Sequence, residues 1–314
     1  MNRSRVFRLI GLCVLGSLMG SSCDTFSFTF TFVTPETKES TETQTIALAA
    51  GAAVQVSNDL GSTRITVDPA ATQATIEITK TALADTEEEA QALLGRMTVT
   101  VTAPTAENNT LVISAVRPAD ATEDQSQFES TITDDEISIV AIVGSARVAQ
   151  YRLRITLPPG HPVSASQGSG PVRTLGLDAP STLSADAGSV HSIAARTNLT
   201  VSTGAGSIEI ESHQGSLDVA TDAGSVDLEV SFLTPDQHII ARVQIGSIDL
   251  LLPGEIDANL QALAPEGFIS FAADDFDQAN VTRDTRVLVE AILGSGGATI
   301  DLETDFGSID IESF

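Results

Sequence analysis

Apolar and polar residues alternate with a period of two along most of this chain. Alternation of that kind sends successive side chains to opposite faces and predicts half-buried strands. Val54-Gln-Val-Ser and Thr63-Arg-Ile-Thr-Val67 flank the turn cluster Asn58-Asp-Leu-Gly-Ser, which together predict a hairpin. Further strands are expected over Thr75–Thr79, Met97–Val101, Leu111–Ser114, Ile137–Val143 and Arg152–Leu157. One stretch, Thr86-Glu-Glu-Glu-Ala-Gln-Ala-Leu-Leu94, consists of helix formers instead. Thr86 can cap it, Glu89 completes a capping box and Gly95 can end it. Its acids fit a solvated first turn favoured by the helix dipole better than a set of metal ligands. Arg117 to Glu136 is polar and acidic and is expected to be a long mobile loop.

The second half repeats. A Gly-Ser pair followed by alternating aliphatic and acidic residues occurs at Gly188, Gly206, Gly215, Gly224, Gly246 and Gly307, with degenerate copies at Gly267 and Gly297. The first four are spaced by 18, 9 and 9 residues, and the later ones irregularly. Glycine supplies the corner. In Ile-Asp-Ile and its variants the aliphatics then turn inward and the acid outward. One such strand cannot bury its apolar face alone, but stacked copies can. We therefore expect an all-β, β-helix-like solenoid with two or more strands per rung. An antiparallel meander or sandwich would use the same signals.

The N-terminus reads differently. Arg3, Arg5 and Arg8 precede an apolar run over Leu9–Met19 that is too short to span a bilayer as a mature helix, and Gly20-Ser-Ser22 follows. This is the pattern of a secretory signal. Leu18-Met-Gly-Ser-Ser-Cys23 resembles the lipobox of bacterial lipoproteins, although Gly20 stands where Leu is usual. The resemblance implies acylation of Cys23, and two acyl chains give a stable anchor. Phe26-Ser-Phe-Thr-Phe-Thr-Phe32 alternates as a strand, and Thr34–Thr43 has the composition of a flexible linker. The expected organisation is a signal peptide at 1–22, a lipidated tether and polar linker at 23–47, an N-terminal β region at 48–160 and the β-repeat solenoid at 161–314.

Composition limits the function. The 314-residue chain carries 16 Lys+Arg against 42 Asp+Glu, a formal charge of −26. Loss of 1–22 removes three Arg and no acid, which takes the body to −29. Such a surface repels phosphate, so no nucleic-acid partner is expected. With two Cys, one inside the signal, neither a disulfide framework nor a Cys-rich zinc site can form.

Arg152-Leu-Arg-Ile-Thr-Leu-Pro-Pro-Gly160, Val163-Ser-Ala-Ser-Gln-Gly-Ser-Gly170, Leu175-Gly-Leu177 and the Ala187-Gly-Ser-Val repeats resemble a bacterial β-strand-repeat family of unknown function labelled "putative adhesin". The similarity runs over roughly Leu48 to Phe314 and is strongest from Tyr151 to Leu252. It implies an envelope-associated β-solenoid and brings no catalytic residues with it.

Candidate chemistry is sparse. Glu209, Asp218, Asp227, Asp249, Asp301 and Asp310 share one motif position and in stacked coils could form a carboxylate ladder. A calcium nonapeptide would need Gly-Gly-x-Gly-x-Asp, whereas here the acids fall within the strand, so a solvated face is the simpler reading. His161, His191, His213 and His238 lack an i, i+4 or Cys partner, and no metal site is expected from them. From Gly188 to the C-terminus there are four Arg (Arg196, Arg242, Arg283 and Arg286) and no Lys, which argues against a polysaccharide lyase. The Gly-Ser pairs precede strands rather than helices, so they are not phosphate loops. The sequence thus points to a non-catalytic cell-envelope lipoprotein with an adhesion-like or scaffold surface. No catalytic residue or cofactor is expected, Cys23 is the lipidation site, and the partners are the membrane and an envelope protein or polysaccharide. An envelope stress-sensing component and a carbohydrate-active β-helix enzyme are the alternatives.

Overall fold

The computed structural model describes residues 35–119, 121 and 147–314, together with the backbone of strand segments at 6–7, 30–31, 130–133 and 136–139. Apart from those backbone segments, the expected signal, Cys23, the Phe26–Phe32 alternation and most of the 117–136 loop lie outside the described residues. The chain divides into two units. One is Met1–Glu39, Thr81–Arg96 and Pro118–Ala149; the other is Ser40–Lys80, Met97–Arg117 and Gln150–Phe314.

The first unit contains the one α-helix among the described residues, Glu87–Leu94. Thr86 Oγ1 accepts from the Glu89 amide and donates to Glu89 Oε2, both at 3.2 Å, so the expected cap forms. Lys38 and Arg147 hold the first-turn acids Glu87 and Glu89, at 2.5 and 2.8 Å, and both carboxyls fall below their usual pKa range through these hydrogen bonds.

The second unit is a stack of two-stranded rungs that build two parallel sheets. Rung 1 is the single strand Ala53–Val67. Its first half pairs in the first sheet and its second half in the second. The expected hairpin does not form. Gly61-Ser62 makes the same corner as the later repeats, so the chain turns into the other sheet instead of folding back. Rungs 2 to 6 follow in chain order: Val163–Ser169 with Val172–Leu175, Ser181–Ala187 with Val190–Ile193, Leu199–Ala205 with Ile208–Gln214, Leu217–Ala223 with Val226–Phe232, and His238–Ile245 with Ile248–Leu252. Pairing partners in rungs 2 to 5 lie 18 residues apart, as in Thr182↔Thr200 and Thr200↔Asp218. The expected solenoid therefore stands, with two strands per rung. Gly215 marks one corner, while Gly206 and Gly224 mark the other. That is why the first spacings read 18, 9 and 9: one from corner to like corner, two between unlike corners.

The stack then departs from chain order. Strands Ala258–Leu263 and Phe268–Phe271 do not pair with rung 6. The C-terminal strands Ala298–Phe306 and Ser308–Ser313 fill the position between them. Rung 7 is thus made by the end of the chain and rung 8 by residues that precede it. The antiparallel strands Leu288–Leu293 and Ala279–Thr285 continue the first sheet beyond rung 8.

Two features hold the stack. Inward aliphatics such as Val201, Ile208, Leu217, Val226, Ile248 and Ile300 are at most 1% exposed. Burying each contributes about 1.5–3 kcal/mol. The corner between the two strands is a glycine column: Gly61, Gly170, Gly188, Gly206, Gly224, Gly246, Gly307 and Gly267 in stack order. At Gly224 φ is +150°, and the carbonyl of Gly206 occupies the place a Cβ would take. Its amide donates to Ile245 O at 3.0 Å. Inside the corner, Thr203, Thr221 and Thr304 donate to the carbonyls of Gly188, Gly206 and Gly246 at 3.0, 3.4 and 2.9 Å. Gln167 Nε2 does the same for Gly61 O at 3.3 Å. These buried polar side chains satisfy carbonyls that would otherwise lack a partner, and unsatisfied groups there would be costly.

The segment expected to be a flexible linker is instead a strand, Glu36–Ile46, paired with Ala74–Ala84. Its side chains are mostly exposed, so hydrophobic alternation gave no signal. β-branched Thr suits an extended backbone. Thr41 and Thr79 share a 3.2 Å hydrogen bond, and Lys80 lies 3.6 Å from Glu42.

Candidate functional site

Parallel, in-register stacking carries one motif position up the outer face of the second sheet. Arg154, Arg64, Arg173, His191, Glu209, Asp227, Asp249 and Asp310 follow one another in a single column. Neighbouring rungs lie about 4.8 Å apart, so the column passes from guanidinium groups through one imidazole to four carboxylates. Of the six acids expected to share a face, the structure brings together Glu209, Asp227, Asp249 and Asp310. Asp218 and Asp301 lie on the first sheet, in a column where Ile240 separates them. There they find cations: Asp218 lies 3.4 Å from His238, and Arg242 reaches Asp301 at 3.1 Å and Glu303 at 3.5 Å.

A second set of acids widens the ladder. Glu211, Glu229 and Glu312 stand two residues beyond their partners in the column, on the same face. Together with Glu209, Asp227, Asp249 and Asp310 they line a shallow groove of about 530 Å³, floored by Ile210, Leu228, Leu250 and Leu251. No Lys or Arg lines it. Sequence reasoning missed these three acids, although the i, i+2 spacing that places them was visible in Glu209-Ile-Glu211 and Asp310-Ile-Glu312.

Burial and the crowding of like charges act together on Asp249. Partial burial, a hydrogen bond with Asp227 and the charges of Asp227, Asp310 and Glu312 push Asp249 up from 3.8 to about 6. The folded state therefore holds more protons than the unfolded chain between those two values. Stability from this group is complete below pH 3.8 and is lost as pH rises through about 6. Asp249→Asn removes the repulsion. Its melting temperature should exceed that of the native chain by roughly 2 °C at pH 7.5, given solvent screening, and match it at pH 3.5. Thermal melts by circular dichroism at the two pH values check this.

At the lower end of the groove, His191 sits between Glu209 and Glu211. His191 Nε2 is 2.9 Å from Glu211 Oε1, and Nδ1 is 3.7 Å from Glu209 Oε2. A bulge at Ser212, with φ +53°, follows Glu211 and ends the regular register. Ala194, with φ +54°, donates to Glu211 O at 2.9 Å and ties the same spot to the rung below. The other histidines serve elsewhere. His161 is buried, with Nδ1 2.8 Å from Ala52 O. His213 is fully buried, and desolvation lowers its pKa.

Among the described residues, no helix is long and apolar enough to cross a membrane. No protein-family model matches the chain. No curated protein matches it either. Three solved structures align with it at low identity. A "putative cell adhesion protein" from Clostridium sporogenes has 10% identity and a TM-score of 0.34, over 88% of this chain and 100% of that one. A "putative adhesin" from Bacteroides fragilis has 12% identity and a TM-score of 0.37, over 88% and 97%. Another "putative adhesin", from Parabacteroides merdae, has 9% identity and a TM-score of 0.19, over 87% and 96%. TM-scores below 0.5 do not establish a common fold.

Proposed function

We propose that this chain is a non-catalytic lipoprotein of the bacterial cell envelope, anchored through acylated Cys23, whose solenoid offers an adhesion-like or scaffolding surface. The observation that carries the reading is the second-sheet face. It displays seven carboxylates, four of them stacked in register, and no basic side chain lines the groove they form. A regular face of one sign suits binding along an extended partner, and it disfavours anionic polysaccharides and anionic lipid headgroups. The fitting partner is an envelope protein that presents Lys or Arg at strand spacing. The Cys23 anchor would hold that face at a membrane.

The test is intact-mass analysis of the exported full chain after membrane fractionation. The expected result is a chain beginning at Cys23 with added acyl mass, recovered with membranes, and released to the soluble fraction by Cys23→Ser. A Cys23 of unmodified mass overturns the anchor. Release of sugars from a polysaccharide panel by the purified chain overturns the non-catalytic reading.

A further inference from the structure

We propose that His191, Glu209 and Glu211 form a binding site for one divalent transition-metal cation of the zinc class. The site arises from stacking. Glu209 and Glu211 occupy positions i and i+2 of one strand and so share a face, while His191 lies on the adjacent strand in register with Glu209. The three side chains can present one nitrogen and two carboxylate oxygens whose donor atoms all lie within 4.8 Å of one another.

The donor set selects the metal. An imidazole nitrogen beside two carboxylates suits Zn²⁺ and its neighbours, whereas Ca²⁺ and Mg²⁺ prefer oxygen alone. His191 is what distinguishes this end of the groove from the purely acidic ladder above it. The side chains of all three residues are partly solvent-exposed, at 22%, 52% and 41%, so water can complete a four-coordinate shell. The bulge at Ser212 and the Ala194 amide fix the backbone on which Glu211 stands. The remaining groove acids, Asp227, Glu229, Asp249, Asp310 and Glu312, add negative potential that draws a cation toward the site without coordinating it. In the absence of metal, the two glutamates hold the imidazole in place.

The experiment uses the full chain free of affinity tags, titrated calorimetrically with ZnCl₂ at pH 7.5. The expected result is saturable one-to-one binding and a raised melting temperature. Affinity should fall at least about tenfold in His191→Asn and in Glu211→Gln, and stay within about threefold in Asp249→Asn. CaCl₂ and MgCl₂ should bind weakly, and equally in native protein and His191→Asn. With Cu²⁺ as a spectroscopic probe, electron paramagnetic resonance should show coupling to one imidazole nitrogen, lost in His191→Asn. Melts in EDTA confirm that each variant is folded. Absence of zinc binding by the native chain overturns the proposal. So does undiminished binding by His191→Asn and Glu211→Gln, or an equal loss in Asp249→Asn, which would mean diffuse attraction to the ladder.

Discussion

Gly224→Ala should unfold the solenoid, or at the least cost it more than about 4 kcal/mol, a range reached by few single substitutions. Two penalties combine at this position. The backbone holds φ at +150°, where an L side chain is strained, and the new Cβ would fall on the carbonyl of Gly206 in the rung below. That carbonyl sits at the corner between two paired strands and accepts from Thr221, so it cannot move aside without disturbing the pairing on both sides. Gly160→Ala provides the comparison. Its φ is +83°, but nothing lies within 4 Å of the added carbon, so only the conformational cost remains, about 1–2 kcal/mol. Thermal and urea melts of both variants, with soluble yield recorded, test the contrast.

The second large effect concerns the order of the rungs. A chain shortened to end at residue 297 should lose cooperative folding altogether. In a solenoid stacked in chain order, removing the last rung costs little more than one interface. Here the last strands of the chain lie inside the stack, between rungs 6 and 8. Their removal takes away Ile300, Leu302, Ile309 and Ile311, all fully buried. It also leaves two parallel ladders without their middle member. Four such side chains represent about 6–12 kcal/mol of gross burial, comparable to the whole stability of a typical domain. Absence of a cooperative melt, with exposed apolar surface reported by dye binding, is the expected outcome. A shortened chain that melts within a few degrees of the full one would contradict the assigned order.

The two effects also mark what the sequence showed and what it hid. Gly-Ser followed by Ile-Asp-Ile announced the rung, because corner and alternation are both local. The 18-residue period was visible wherever both corners kept their length, from Ser181 to Phe232. Gly61-Ser62 carries the same corner, yet its local sequence fits a hairpin turn equally well. A glycine with positive φ serves either purpose, and only the pairing partner distinguishes them. The out-of-order rung was invisible, since Gly307-Ser-Ile-Asp-Ile311 resembles every other copy, and its place depends on contacts with residues some 60 positions away. The Thr-rich strand at Glu36–Ile46 was missed because it is held by backbone pairing with little burial.

The acidic face was half legible. The motif position gave Glu209, Asp227, Asp249 and Asp310. It could not say that Asp218 and Asp301 belong to the other sheet, because the repeat starts at both corners. His191 stood apart from every acid by the usual helical spacing rule. The proximity of His191 to Glu209 is a product of an 18-residue rung, which brings together residues that no short motif connects.

The candidate site requires carboxylates stacked rung upon rung on one face. Carbon-detected NMR titration of the Asp249 carboxyl measures this directly. The stacked ladder predicts a midpoint near 6 in the native chain, returning toward the ordinary aspartate range in Asp227→Asn. A native midpoint close to 3.8, unmoved by that substitution, would mean that the acids do not share a face.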